Sequence, residues 1–219
     1  HILEAPGKEI ADLKGLEKCV NLALLNLAKN KIKDVAPLKD LKVLQSLDLG
    51  NNQITDISTF ATLPGLQYVR LTDNAIKEVK ALSGLVNLMA VDVSGNQVSD
   101  LSPLGGLPKL ASMYASRNQI KTLAPFTKAT RISTIDLSQN QLENVEFLGN
   151  QTEVGLLILQ RNQIKDLGPL LKAAKADAEG SKLFAPYLRL YIKDNPLSDA
   201  AKNEQLKALK DLGVRIDPS

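Results

Sequence analysis

Few side chains in this 219-residue chain could carry bond-making chemistry, and each lacks the partner that chemistry needs. Ser94, Ser116 and Ser138 recur every 22 residues and offer hydroxyls, but a serine nucleophile needs an adjacent base, and the one histidine is His1 at the terminus. Asp48 and Asp92 could act as a carboxylate pair for general acid–base work. If each 22-residue interval adds one strand to a sheet, they stand two strands or roughly 10 Å apart, with Arg70 between them. Cys19 is a lone thiol, so no internal disulfide and no Cys/His zinc set can form. Its position at the end of an apolar pattern reads as a small buried hydrophobe. A phosphate loop of the G-x-x-x-x-G-K-S kind is also missing. These residue types exclude histidine-dependent catalysis and supply no catalytic, cofactor-binding or metal-ligating set. A non-enzymatic protein is expected.

Composition narrows the partners. The chain is 44% hydrophobic and 23% charged, which suits a packed fold. Its 27 Lys and Arg against 24 Asp and Glu give a net charge of +3, too dispersed for a nucleic-acid binder. No apolar run reaches the ~18 to 20 residues that cross a bilayer.

What must position any functional residue is a repeat. Asparagines stand at 30, 52, 74, 96, 118, 140 and 162, with Asn195 following after 33 residues. Each unit reads L-x-x-L-x-L-x-x-N-x-I-x-x-L-x-x-L-x-x-L-x-x, and 48 of the 49 apolar positions in the seven regular units hold apolar residues, Gln151 being the exception. Positions 4 and 6 send both side chains to one face, as in a short strand, while the later spacing of three suits a 3₁₀ or extended return. A single 22-residue coil buries too little to offset the entropy of ordering it, so coils must stack and share backbone hydrogen bonds. The asparagine fits an internal ladder that satisfies backbone groups where the chain leaves the strand. Pro37, Pro103, Pro125 and Pro169 share one return position and argue against long outer helices.

These residues resemble the leucine-rich repeat family, in its 22-residue class, and the D-x-x-P-L returns at Asp34–Leu38, Asp100–Leu104 and Asp166–Leu170 resemble its bacterial internalin-like branch. The resemblance implies an α/β fold: a right-handed horseshoe-shaped solenoid with a parallel β-sheet on the concave face, 3₁₀ or extended convex segments and a short C-terminal capping helix. The expected organisation is one domain: an irregular first repeat over 1–21, seven regular repeats over 22–175, a last repeat over 176–197 after an 11-residue insertion, and a cap over 198–219. Ser198 as N-cap, Leu206, Leu209 and Leu212 on one face, and Gly213 as left-handed stop support that cap. The start has no comparable lid, so the chain is expected to begin inside a longer precursor. Within the insertion near Leu171–Pro186, Ala173–Ala178 predicts a short outer helix ending before Gly180. Gln151 predicts an irregularity at 149–153, and Asn150-Gln151-Thr152 fits a glycosylation triplet that carries no weight in a bacterial protein.

Positions 2, 3, 5, 7 and 8 of each coil should tile the concave face. They hold three of the four tyrosines (Tyr68, Tyr114, Tyr191) and four of the six arginines (Arg70, Arg117, Arg161, Arg189), but only two of 21 lysines. Gain of Tyr and Arg with loss of Lys is the composition of protein-binding surfaces. Asp92, Asp136, Leu156 and Ile158 complete the candidate site, centred on Arg117–Tyr191 unless the insertion buries the two apolar residues. A column reading Asn26, Asp48, Arg70, Asp92 also permits a purely structural bridge from Arg70 to both aspartates. Balanced charge and no concave Phe or Trp disfavour nucleic acid. The expected function is binding of a protein partner by a monomer without cofactor, in an extracytoplasmic bacterial setting. The alternatives are an intracellular scaffold or enzyme regulator, and a carbohydrate or cell-wall binder.

Overall fold

The computed structural model describes residues 1–124, 126, 128–150 and 153–217. Pro125, Gln151 and Thr152, on which three of the sequence expectations fall, lie outside the described residues. Ten three-residue strands make one open parallel sheet in chain order: β1 (Ile2–Glu4), β2 (Leu24–Asn26), β3 (Ser46–Asp48), β4 (Tyr68–Arg70), β5 (Ala90–Asp92), β6 (Ser112–Tyr114), β7 (Thr134–Asp136), β8 (Leu156–Ile158), β9 (Arg189–Tyr191) and β10 (Arg215–Asp217). Equivalent positions lie side by side, Leu25 beside Leu47 and Leu47 beside Val69. The middle residue of β2 through β9 points inward and is buried.

Of the 48 apolar positions in the regular units, all but Ala173 are buried in one continuous core. The chain returns through 3₁₀ turns at Ala36–Leu38, Ser58–Thr62, Lys80–Leu82 and Ser102–Leu104. Aspartates start three of these turns, since Asp34 and Asp100 of the D-x-x-P-L motif, and Asp56 at the equivalent position, each accept the N–H two residues on, at 2.7–2.8 Å.

The asparagine ladder is complete. In each step the amide donates to carbonyls of its own and the preceding coil, and its oxygen accepts an N–H of the preceding coil. Asn118 donates to Val93 O (3.0 Å) and Ala115 O (3.1 Å) and accepts from Val98 N–H (2.9 Å). Asn195 repeats this beyond the insertion, with Leu159 O and Ile164 N–H. Directly before each asparagine the backbone is left-handed: Lys29, Asn51, Asp73, Arg117, Gln139, Arg161 and Asp194 have φ of 52–58°, and Gly95 has 69°. That conformation turns the chain out of the strand so that the asparagine points inward.

The insertion departs from expectation in two ways. The outer helix is longer than the Ala173–Ala178 stretch, because α1 spans Gly168–Glu179. Pro169 sits in its first turn, where a missing N–H costs nothing, so proline here opens a helix rather than preventing one. Asp177, near its end, is 5% exposed and accepts from Ser181 Oγ and from the N–H groups of Leu183, Phe184 and Ala185, at 2.8–3.1 Å. Burial pushes its carboxyl up, but these bonds outweigh burial and hold it below the usual carboxylate range. The insertion also shifts the frame by one: Leu188 is buried and Tyr187 is 65% exposed, reversing the repeat's first two positions.

The C-terminal end is closed. Ser198 Oγ accepts the Ala201 N–H at 3.1 Å, a π-type turn Ala201–Gln205 leads into α2 (Leu206–Asp211), and Gly213 stops the helix at φ 97°. The π turn lets Gln205 reach back, where its carbonyl accepts the Leu167 N–H at 2.7 Å. At the other end β1 is a three-residue strand like the others, and Ile2 and Leu3 are exposed. Cys19 is likewise exposed, correcting its reading as a buried hydrophobe. It occupies an inward position of the first coil, and no described residue stacks over that coil.

Candidate functional site

The alternation within each strand sends positions 3 and 5 to the face opposite the core, and the left-handed turn brings position 8 to the same side. Four of the sequence-predicted residues, Tyr68, Arg70, Asp92 and Tyr114, converge with Asp48 on a hollow of about 370 Å³ across β3 to β6. Small residues at position 3, Ser46 and Ala90, leave that space open. Arg117, Asp136, Leu156, Ile158, Arg161, Arg189 and Tyr191 lie farther along the same face and do not line it. There, position 3 carries Leu156 and Arg189, so the surface is filled where β3 and β5 leave room. Leu156 and Ile158 are half-buried, with Arg189 and Tyr191 beside them in register. Helix α1 does not cover them, because it packs against the 3₁₀ segment Glu146–Asn150 and the C-terminal cap and has no contact with β8. A second, polar recess of about 270 Å³ involves Gln139, Arg161, Lys193 and Asp194. A wider recess of about 640 Å³ lies between return segments, lined by Ala61, Ala75 and Ala81, and none of the candidate residues reaches it.

The concave charges are arranged in pairs. Arg70 Nη1 lies 3.6 Å from Asp48 Oδ2, and no ion pair joins Arg70 to Asp92 among the described residues, so the double bridge is only half made. Arg161 Nε reaches Asp194 Oδ2 at 3.4 Å. Arg117 spans two coils, its Nη1 donating to Asp73 Oδ1 at 2.8 Å. This bridge crosses Gly95, where an added Cβ would lie 2.2 Å from Asp73 Oδ1. Spacing alone missed the contact. Its signal was the one glycine in the position-8 column between an aspartate and an arginine.

Position 5 carboxylates have a local task as well. Asp48, Asp92 and Asp136 each accept the N–H two residues on, from Gly50, Ser94 and Ser138, at 2.9–3.0 Å. Ser138 Oγ also donates to Asp136 at 2.7 Å, which makes that serine part of a turn. The sequence reading also missed Arg215 and Asp217, which β10 sets in register with Arg189 and Tyr191 on the concave face. Tyr68, 47% exposed, donates to Met89 Sδ at 3.7 Å and forms an apolar rim beside the hollow. Among the described residues no group of three or more His, Cys, Asp or Glu could hold a metal ion, and no helix is long and apolar enough to cross a membrane.

A family model described as leucine rich repeats (2 copies) matches residues 20–68 and 42–87. A search of curated proteins finds no match. Among solved structures, an internalin C2 from Listeria monocytogenes is 26% identical, with a TM-score of 0.67 over 99% of this chain and 79% of that one. A leucine-rich repeat protein of Leptospira interrogans is 21% identical with a TM-score of 0.69, over 98% and 59% of the two chains. The ectodomain of the receptor kinase GASSHO1/SCHENGEN3 from Arabidopsis thaliana, solved in complex with Casparian strip integrity factor 2, is 19% identical with a TM-score of 0.67, over 89% and 23%. The last two show the shared fold alone.

Proposed function

Since this chain is a leucine-rich repeat protein that resembles the internalin-like branch, we propose that it is a non-enzymatic interaction module whose concave face binds a protein partner in an exported or surface-exposed bacterial setting. Leucine-rich repeat proteins are in general protein-interaction modules without catalytic activity. The observation that carries the reading is the gathering of Tyr68, Tyr114, Tyr191 and the arginines on one rigid face from which lysine is nearly excluded. Tyrosine and arginine bury large area at low entropic cost and dominate interface hot spots. Three of the arginines lie within ion-pair distance of carboxylates on other coils, which biases their orientation before a partner arrives.

The test is affinity for a partner captured from the host environment with immobilised protein. Tyr114→Ala and Arg117→Ala should each weaken binding about tenfold or more, roughly 1.4 kcal/mol. Lys80→Ala, exposed on the return side, should leave it unchanged. Full affinity after both concave substitutions would refute the proposal.

A further inference from the structure

We propose that the hollow across β3 to β6 receives a cationic side chain, arginine or lysine, presented by the protein partner; this deepens the concave-face reading and depends on it. Two carboxylates, Asp48 and Asp92, line the hollow against one guanidinium, Arg70, which leaves it net negative. Arg70 lies nearer Asp48, with Nη1 3.6 Å from Oδ2, and makes no ion pair with Asp92 among the described residues. Asp92 spends Oδ1 on the Ser94 N–H at 3.0 Å, and no donor reaches its Oδ2 among the described residues. That oxygen is the unmatched charge of the hollow.

The walls suit the same guest. Tyr114 stands directly beside Asp92 in the register of β5 and β6, and Tyr68 stands beside Ala90 across β4 and β5. Aromatic rings beside a carboxylate suit a cationic guest, since a ring face attracts the charge and the ring's apolar area covers the aliphatic stem. A hollow of about 370 Å³ has room for either side chain, since Ser46 and Ala90 occupy little of it.

The charge of the whole face points the same way. From β1 through Gly95 it carries Glu4, Asp48, Asp73 and Asp92 against Lys29 and Arg70. From Ala111 onward it carries Arg117, Arg161, Arg189, Lys193 and Arg215 against Asp136, Asp194 and Asp217. The N-terminal half is negative and the C-terminal half positive, so the field along the face steers a cationic group toward the hollow and an anionic one away from it.

Backbone amide NMR shifts of the full chain would be followed during titration with N-acetyl-arginine amide and N-acetyl-lysine amide, with N-acetyl-citrulline amide as the neutral isostere. The expected result is saturable shifts at Ala90, Asp92, Ser94 and Tyr114 for the cations and none for citrulline. Asp92→Asn should weaken the response at least threefold. The fold should tolerate this change, because Asn26 makes the same turn bond, accepting the Ala28 N–H at 3.1 Å. Tyr114→Phe retains the ring and should keep the response, whereas Tyr114→Ala should reduce it. Equal shifts with citrulline, an unchanged response in Asp92→Asn, or shifts centred on β7 to β9 would overturn the assignment. Such a failure leaves the concave-face reading intact, because that reading is decided by partner affinity in the Tyr114→Ala and Arg117→Ala variants.

Discussion

Replacing Asn118 by alanine tests the stacking account at one buried residue. Asn118 is 8% exposed and sits mid-ladder, donating to Val93 O, Ala115 O and Ser116 O at 3.0–3.1 Å and accepting the Val98 N–H at 2.9 Å. Two amide hydrogens and one acceptor amount to about three net hydrogen bonds at ~1 kcal/mol each. The Val98 N–H is then stranded in a core that water does not reach, which adds about 1 to 2 kcal/mol. The expected loss is about 3 to 5 kcal/mol, a drop in melting temperature on the order of 10 °C for a chain of this size. Asn118→Asp should be worse at neutral pH, since a carboxylate would face the carbonyls of Val93 and Ala115 with nothing to donate. Urea unfolding followed by circular dichroism measures all three proteins. A loss below about 1 kcal/mol for the alanine variant would refute the claim that this amide holds adjacent coils together.

Other substitutions probe different parts of the structure. Asp177→Asn should cost about 2 to 3 kcal/mol at pH 7, because the N–H groups of Leu183, Phe184 and Ala185 lose a charged acceptor. The depressed folded pKa of Asp177 makes its contribution full above the ordinary carboxylate value of 3.8 and lost as pH falls through the folded value. The gap between wild type and Asp177→Asn, read from melts at pH 7 down to pH 2, should therefore narrow below about pH 4; a constant gap contradicts the assignment. Gly95→Ala meets Asp73 Oδ1 at 2.2 Å from a left-handed backbone, so it should cost about 1 to 3 kcal/mol in denaturant and break the Arg117–Asp73 bridge. Arg117→Ala, by contrast, should move stability by no more than about 1 kcal/mol, because both partners are part-exposed.

The fold was legible in the sequence because the repeat writes its core and its ladder into fixed spacing: an inward residue misplaced by one position would leave a polar group in the stack. Less of the surface was legible. The left-handed position is announced by glycine, asparagine or aspartate at Gly95, Asn51, Asp73 and Asp194, but Lys29, Arg117, Gln139 and Arg161 occupy it too and hide the signal. The partners of charged side chains depend on reach. Arg117 passes over a glycine to the second coil away, while Arg70 stops at its neighbour Asp48. The hollow lies where the small position-3 residues Ser46 and Ala90 flank Tyr68. Counting Tyr and Arg along the chain therefore marks the concave face without locating the hollow. The frame shift at Tyr187 and Leu188 could not be read from spacing, since the insertion frees the chain from the 22-residue count.

Site-specific photo-crosslinking tests the central claim most directly, with benzoylphenylalanine placed in turn at Tyr68 and Tyr114 on the concave face and at Lys39 and Lys80 on the return side. The account predicts adducts with a protein partner from the two concave positions and none from the return positions. Adducts formed only from Lys39 or Lys80 would contradict it.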